Sequence, residues 1–504
     1  MSPESDLPAE SDLPAESDLP AESDLPAESA GSARSAGATA SKGVLGRGSI
    51  YTLGTVAPIL ANAAVIPIVT RLLGPKPYGV VAIAITVMWV AMMAGSLGIP
   101  SVITRQGILA KSGVAGARAL LVRGSLMTAA LMSVIILTAP LWNPLVQAKD
   151  PLVQAQLRST VLLALAASAF FVVVENSQAL LRVLDRPGSF VTLSLTATLG
   201  GPLLGLALLA QDPSPQRYFV GLTAGYATAA MVGLVMSLRS GHRQRDRGDT
   251  RAALRMGLPV IPHLVALYLA NGALVFVAAR LYGVDASGRI QLALLVGSSP
   301  AVITSALNNS WAPIVYRAPE HERGAVLAHT ARDIATLAAL ISGGVALLSP
   351  WLMRFVAPAS FHPLELVPSV AIITFGCVLS VVYLANVHLI FAAGRSLWLS
   401  AVTPLSLVAG LTCAYLAGLE NLVLIAVGFP ATYLALAMGT AWLRRHVRAV
   451  SWSETALLVP TGLGLALCIT GGVLPTSGAA SLVRVVVAAL AGLATLRLAR
   501  RVLS

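Results

Sequence analysis

Fourteen apolar runs, parted by charged or turn-forming residues, follow one another at roughly 49–70, 78–99, 119–141, 157–180, 189–210, 217–238, 258–279, 287–311, 331–353, 365–391, 396–416, 420–442, 454–474 and 480–497. Each is close to the ~20 residues with which an α-helix crosses a bilayer. Only helices and closed barrels pair every backbone N–H and C=O in lipid, and runs this long are helices. The pattern predicts an all-α polytopic membrane protein of about 14 transmembrane helices. Composition agrees. Of 504 residues, 56% are hydrophobic and 11% charged, whereas a soluble domain carries about 25% charge. A soluble enzyme of this length would lack polar surface.

The net charge is +12. Basic proteins often bind nucleic acid, but in a membrane protein the basic residues collect in cytoplasmic loops. Starting with the N-terminus inside, the inner loops and tails collect 25 of the 34 basic residues, so both termini are expected in the cytoplasm. No nucleic-acid partner is expected. All the outer loops are short, which leaves no room for a soluble catalytic domain; whatever the chain does happens within or between helices. Cys377, Cys413 and Cys468 lie far apart inside apolar runs, giving neither zinc nor disulfide spacing. No metal, cofactor or phosphate-binding GxxxxGK[ST] loop is expected.

Residues 5–28 are four copies of Ser-Asp-Leu-Pro-Ala-Glu and hold most of the nine acids found between Glu4 and Glu28. Proline at every sixth position without apolar periodicity builds no core, so 1–42 reads as a disordered cytoplasmic tail. Without residues 1–40, the body has 33 basic and 13 acidic residues. No cleavable signal peptide is evident, because the first apolar run comes too late.

The body contains an internal repeat. Leu60-Ala61-Asn62-x-Ala64 with Arg71-Leu72-x-Gly74 and Gly79 recurs as Leu269-Ala270-Asn271-x-Ala273 with Arg280-Leu281-x-Gly283 and Gly288, 209 residues later. Asn, Arg and both glycines at fixed offsets are hard to match by chance. The copies fall on the first and seventh runs, and an even number of spans between them makes the halves parallel repeats. The expected organisation is a six-helix bundle over 43–238, a basic cytoplasmic loop over 239–257, a second six-helix bundle over 258–448, and two added helices over 449–504. Two bundles with a site at their interface is the layout of an alternating-access transporter.

Arg71-Leu72-Leu73-Gly74-Pro75-Lys76-Pro77-Tyr78-Gly79 resembles the start of the polysaccharide-biosynthesis flippases of the multidrug/oligosaccharidyl-lipid/polysaccharide exporter superfamily. Ala252-Ala253-Leu254-Arg255-Met256-Gly257-Leu258-Pro259-Val260-Ile261-Pro262-His263 resembles the start of their second half, and Trp311-Ala312-Pro313 the end of their eighth span. The resemblance implies a Wzx-like flippase of the bacterial plasma membrane. Its cargo is an undecaprenyl-diphosphate-linked oligosaccharide, and its surroundings are membrane lipids and other polysaccharide-assembly proteins. The fourteen-span count also resembles the lipid II flippase branch. A cation-coupled multidrug exporter is the rival within the superfamily. A membrane-embedded polymerase or ligase is the rival enzyme, but such enzymes usually carry a large outer loop, and none is present.

Ionisable and amide groups at membrane depth are candidates for function. Asn62 and Asn271 fall near mid-membrane at 1.5 Å per residue and are read either as sugar-binding groups or as helix–helix glue. Glu175 is the one acid placed well inside a span; with Gln178 three residues on, it is the candidate for a coupling ion, or else holds its span to a neighbour. Asn308 and Asn309, Asn386 and His388, and His263 beside Pro259 and Pro262 complete the cavity candidates. Asn386 and His388, two apart, should face different sides of one helix. Arg71 and Arg280 either contact cargo or snorkel to headgroups.

Overall fold

The computed structural model describes residues 64–110, 112–142, 150–239 and 250–503. The expected tail and Asn62 lie outside the described residues. The described chain is helical. Its first half contains α1 (Ala64–Leu73), α2 (Pro75–Gly95), α3 (Ile99–Leu109), α4 (Gly113–Leu137), α5 (Ala139–Trp142), α6 (Pro151–Val183), α7 (Pro187–Gln211) and α8 (Pro215–Leu238). Helices α2, α3, α6, α7 and α8 carry proline in the first turn, where the missing N–H has no intrahelical partner to lose. Asp150 caps α6 by accepting from Leu152 N at 3.0 Å. The Lys76 ammonium, 2.8 Å away, holds the Asp150 carboxyl below the usual carboxylate range.

Apolar packing alone does not favour helix over lipid, so small residues let backbones meet. Gly201 and Gly205 on α7 face Gly225 and Gly221 on α8. A methyl group built on Gly225 would lie 2.3 Å from Gly201 Cα, and one on Gly221 2.3 Å from Gly205 N. Helix α6 packs on α2, α4 and α8 and forms the centre of this bundle.

The second half contains α9 (Thr250–Gly257), α10 (Ile261–Gly272), α11 (Leu274–Tyr282), α12 (Val284–Gly297), α13 (Ser299–Arg317), α14 (Glu320–Val356), α15 (Val367–Ala392), α16 (Leu399–Gly418), α17 (Gly428–His446), α18 (Leu458–Val473) and α19 (Ala479–Leu503). Helices α18 and α19 dock on α14, and α18 also on α15. Among the described residues twelve helices are long and apolar enough to span a membrane, or thirteen if α12 and α13, bent by 43°, count as one; α1 is a shorter apolar helix. The chain is a multi-pass membrane protein.

The repeat is visible as geometry. Gly74 and Gly283 hold matching backbone conformations, φ 72° with ψ 177° and φ 100° with ψ 176°. Each breaks the chain between paired helices, α1/α2 and α11/α12. This left-handed region is open to glycine at little cost.

Two expectations need correction. The second apolar run is the larger part of a longer span, Pro75–Leu109: α2 ends at Gly95, and after a turn at Gly98 (φ 68°) α3 continues it. The basic connection 239–257 is not wholly a loop, since its end forms α9. Ala253 on α9 is buried among Ile99, Val102, Leu120 and Leu180 of the first half. An eight-residue helix with one apolar stripe has too few turns to stand out in sequence, and docking stabilises it.

Candidate functional site

The halves meet along α2, which packs on α12 and α10. At the end where the repeat motifs lie, backbones touch: a methyl group at Gly79 would sit 1.8 Å from Val284 O, and one at Gly288 2.9 Å from Pro75 O. Gly79 and Gly288 are equivalent positions of the repeat. There, too, Thr70 donates to Val356 O at 2.7 Å and Arg71 to Phe355 O at 3.0 Å, tying α1 to the end of α14. Midway, Thr86 packs on Gly272. One turn further, Trp89 stacks on Tyr268, ring centroids 6.1 Å apart and planes 17° from parallel. At the opposite end, Gly98 meets Gly257. The seam is closed along the length of α2.

Glu175 stands beside this seam. It lies one turn beyond Phe171, which meets Trp89 edge-on at 6.0 Å and Tyr226 at 5.0 Å. Glu175 Oε2 is buried and accepts no hydrogen bond. Its neighbours are engaged elsewhere. Gln178 donates to Ser194 on α7 at 2.9 Å, and Asn176 to Ser125 on α4 at 3.3 Å. Asn271, one turn from Tyr268, is exposed; its amide donates to Leu267 O at 2.8 Å and reaches the Tyr433 hydroxyl at 3.5 Å.

Other candidates sit away from the seam. His263 is buried, with Nδ1 2.7 Å from the Thr403 hydroxyl; Ser400, one turn earlier on α16, donates to Pro259 O. A 3-10 turn, Leu258–Val260, precedes α10, and α16 takes up the polar groups of Pro259 and His263. Asn386 and His388 face different sides of α15. Asn386 Oδ1 accepts from Arg444 Nε at 2.9 Å and Trp452 Nε1 at 3.3 Å. His388 packs on Trp311 at 4.6 Å and Tyr316 at 5.8 Å. Asn308, on α13, has a buried unpaired Oδ1; the Asn309 side chain lies outside the described residues. Arg71 and Arg280 are exposed. Among the described residues no three His, Cys, Asp or Glu come together as a metal site.

Sequence reasoning missed the Trp89–Tyr268 stack and two buried arginines. Arg444 is 4% exposed and bridges Asn386, Val450 O and Glu454, the last at 2.6 Å. Arg484 is wholly buried and donates to Leu347 O, Leu474 O and Pro475 O. It thereby caps the C-terminal end of α18, where a cation meets the negative end of the helix dipole. An arginine inside an apolar run, as Arg484 is, was the available signal.

The family model described as Polysaccharide biosynthesis protein matches residues 45–318. No curated protein matches in sequence. Among solved structures, the chain is similar to the lipid II flippase MurJ in an inward closed conformation, at TM-score 0.67 and 14% identity, covering 90% of this chain and 99% of that one. It is also similar to an inward-facing multidrug resistance MATE family transporter of the MOP superfamily, at TM-score 0.63 and 16% identity, covering 78% and 94%. A Vibrio cholerae MATE transporter, VcmN, follows at TM-score 0.54 and 15% identity, covering 81% and 98%. At these identities the likeness is one of fold.

Proposed function

Because the chain belongs to the polysaccharide biosynthesis protein family, whose model spans residues 45–318, we propose that it moves an undecaprenyl-diphosphate-linked oligosaccharide across the bacterial plasma membrane. The observation that carries the reading is this family match on a fold of two bundles closed along one helix. A diphosphate with sugars does not cross hydrocarbon unaided, since each unpaired polar group costs several kcal/mol there. Parting of the bundles along α2 opens a wet path for the headgroup while the lipid tail stays in the bilayer. Closure at the Gly79–Val284 end and at the Gly98–Gly257 end then alternates. No bond is made or broken, so the protein acts as a transporter and not as a polymerase or ligase.

In this reading both termini are cytoplasmic, as the basic loops favour. Glu175, which the sequence offers as a coupling-ion candidate, stands at the seam with an unused acceptor that either an ion or a cargo hydroxyl can take. Asn271 faces the same region.

The test is an analysis of lipid-linked intermediates in a deletion strain. Inner-leaflet accumulation of an undecaprenyl-diphosphate oligosaccharide, with loss of the surface glycan, is the expected result. Unchanged intermediates with raised sensitivity to cationic drugs would sink the reading in favour of a multidrug exporter. Accumulation of lipid II alone would move it to the lipid II branch.

A further inference from the structure

We propose that Trp89 and Tyr268 are the two faces of a jaw for a pyranose unit of the glycan, shut on itself in this structure, with Glu175 as its hydroxyl acceptor. The inference rests on the glycan reading above and assigns residues to it.

Depth sets the pair apart. Trp89 is fourteen residues after Pro75 at the start of α2, about 21 Å along the helix at 1.5 Å per residue. Tryptophan and tyrosine in membrane helices ordinarily anchor the two interfaces. A near-parallel pair at depth, one ring from each bundle, is not an anchor.

These groups also leave hydrogen-bonding capacity unused. Neighbouring groups such as His263 with Thr403 and Gln178 with Ser194 are paired across helices, while Asn176 keeps a buried unpaired Oδ1 beside Glu175. At the jaw Glu175 Oε2 is buried without a donor, and Tyr268 is 39% exposed. A buried unpaired acceptor costs about 1–3 kcal/mol, and a sugar hydroxyl supplies the missing donor.

Shape fits as well. A pyranose presents C–H faces above and below its ring, and each packs on an aromatic face at about 3.5–4.0 Å. Rings already 17° from parallel need only move apart by a few ångström to admit one. Phe171 closes the side of the slot. The Glu175 carboxyl oxygen accepts from a neutral hydroxyl.

The seam supplies its own control. Cβ of Thr86 lies 3.6 Å from where Cβ of residue 272 would be, within disulfide range. A Thr86→Cys/Gly272→Cys pair, with Cys413→Ser to remove the exposed native thiol, should lock the jaw shut when oxidised. The probe is the oligosaccharide pool released by mild acid from the host's undecaprenyl-diphosphate intermediates, titrated by calorimetry into the purified full chain. The reduced pair should bind as the wild type does; the oxidised pair should bind at least tenfold more weakly. Trp89→Leu and Tyr268→Leu should each weaken binding about tenfold, Tyr268→Phe less than threefold. The jaw is overturned by a wild type that binds no glycan, by equal binding of oxidised and reduced pairs, or by ring-less variants that bind normally. Loss of the jaw with accumulation intact in the deletion strain leaves the flippase reading standing. Absence of accumulation with glycan bound at the jaw removes that reading alone.

Discussion

Two buried acid-bearing regions, one in each half, treat their polar atoms in opposite ways. In the second half Arg444 donates to Asn386, Val450 O and Glu454, and Asn386 also accepts from Trp452 and donates to Val382 O. Both ends of the carboxamide are in use, and the network pins the connection between α17 and α18. In the first half Glu175 stands at the seam with Oε2 buried and unpaired. A satisfied network specifies structure. A buried acceptor left unpaired is costly and calls for a partner. Both regions read alike as polar residues in apolar runs; only their partners separate them.

The comparison can be broken at either side. The largest effect is expected at Arg444→Met, which removes the buried guanidinium that joins Asn386, Val450 O and Glu454, leaving Arg445 on Glu454 and Trp452 on Asn386, and should destabilise by on the order of 3 kcal/mol, measured by SDS-titration unfolding of purified protein. Arg484→Met comes next. It removes the donor to Leu474 O and Pro475 O just past α18 and to Leu347 O on α14 and should cost about 2 kcal/mol, with α19 losing protection in hydrogen exchange. Asn386→Ala removes a carboxamide between Arg444 and Trp452 and should cost about 1–2 kcal/mol. Glu175→Gln should change stability least, by within about 0.5 kcal/mol, since no partner is lost, yet lower surface glycan in a complemented deletion strain. A Glu175→Gln protein as destabilised as Arg444→Met would erase the distinction. Full activity with normal stability would leave Glu175 without a role.

His263 and Asn386 show why site residues were only partly legible. Both are polar side chains within apolar runs, and from sequence each pointed to a cavity. Thr403 takes up the first and Arg444 the second, and those partners lie 140 and 58 residues away along the chain. Glu175 was legible as the one acid deep in a span, but its unpaired state was not. Trp89 and Tyr268 carried no signal, because aromatic residues in apolar runs are ordinary core.

Sequence by itself determined the membrane class, the succession of apolar runs and the repeat. These depend on hydropathy and on glycine at Gly74 and Gly283, where local backbone geometry leaves little choice. The Gly201/Gly205 and Gly221/Gly225 pairs are local in the same sense, as close-approach surfaces at helical spacing. Only the tertiary structure decided that α2 is the seam, that Gly79 meets Val284 beside Gly288, and that Trp89 meets Tyr268. The physical reason is that lipid solvates every apolar face alike. Hydropathy therefore says that a helix spans and not which face meets which neighbour; close backbone approach and the pairing of buried polar atoms settle that, and both belong to residues far apart in the chain.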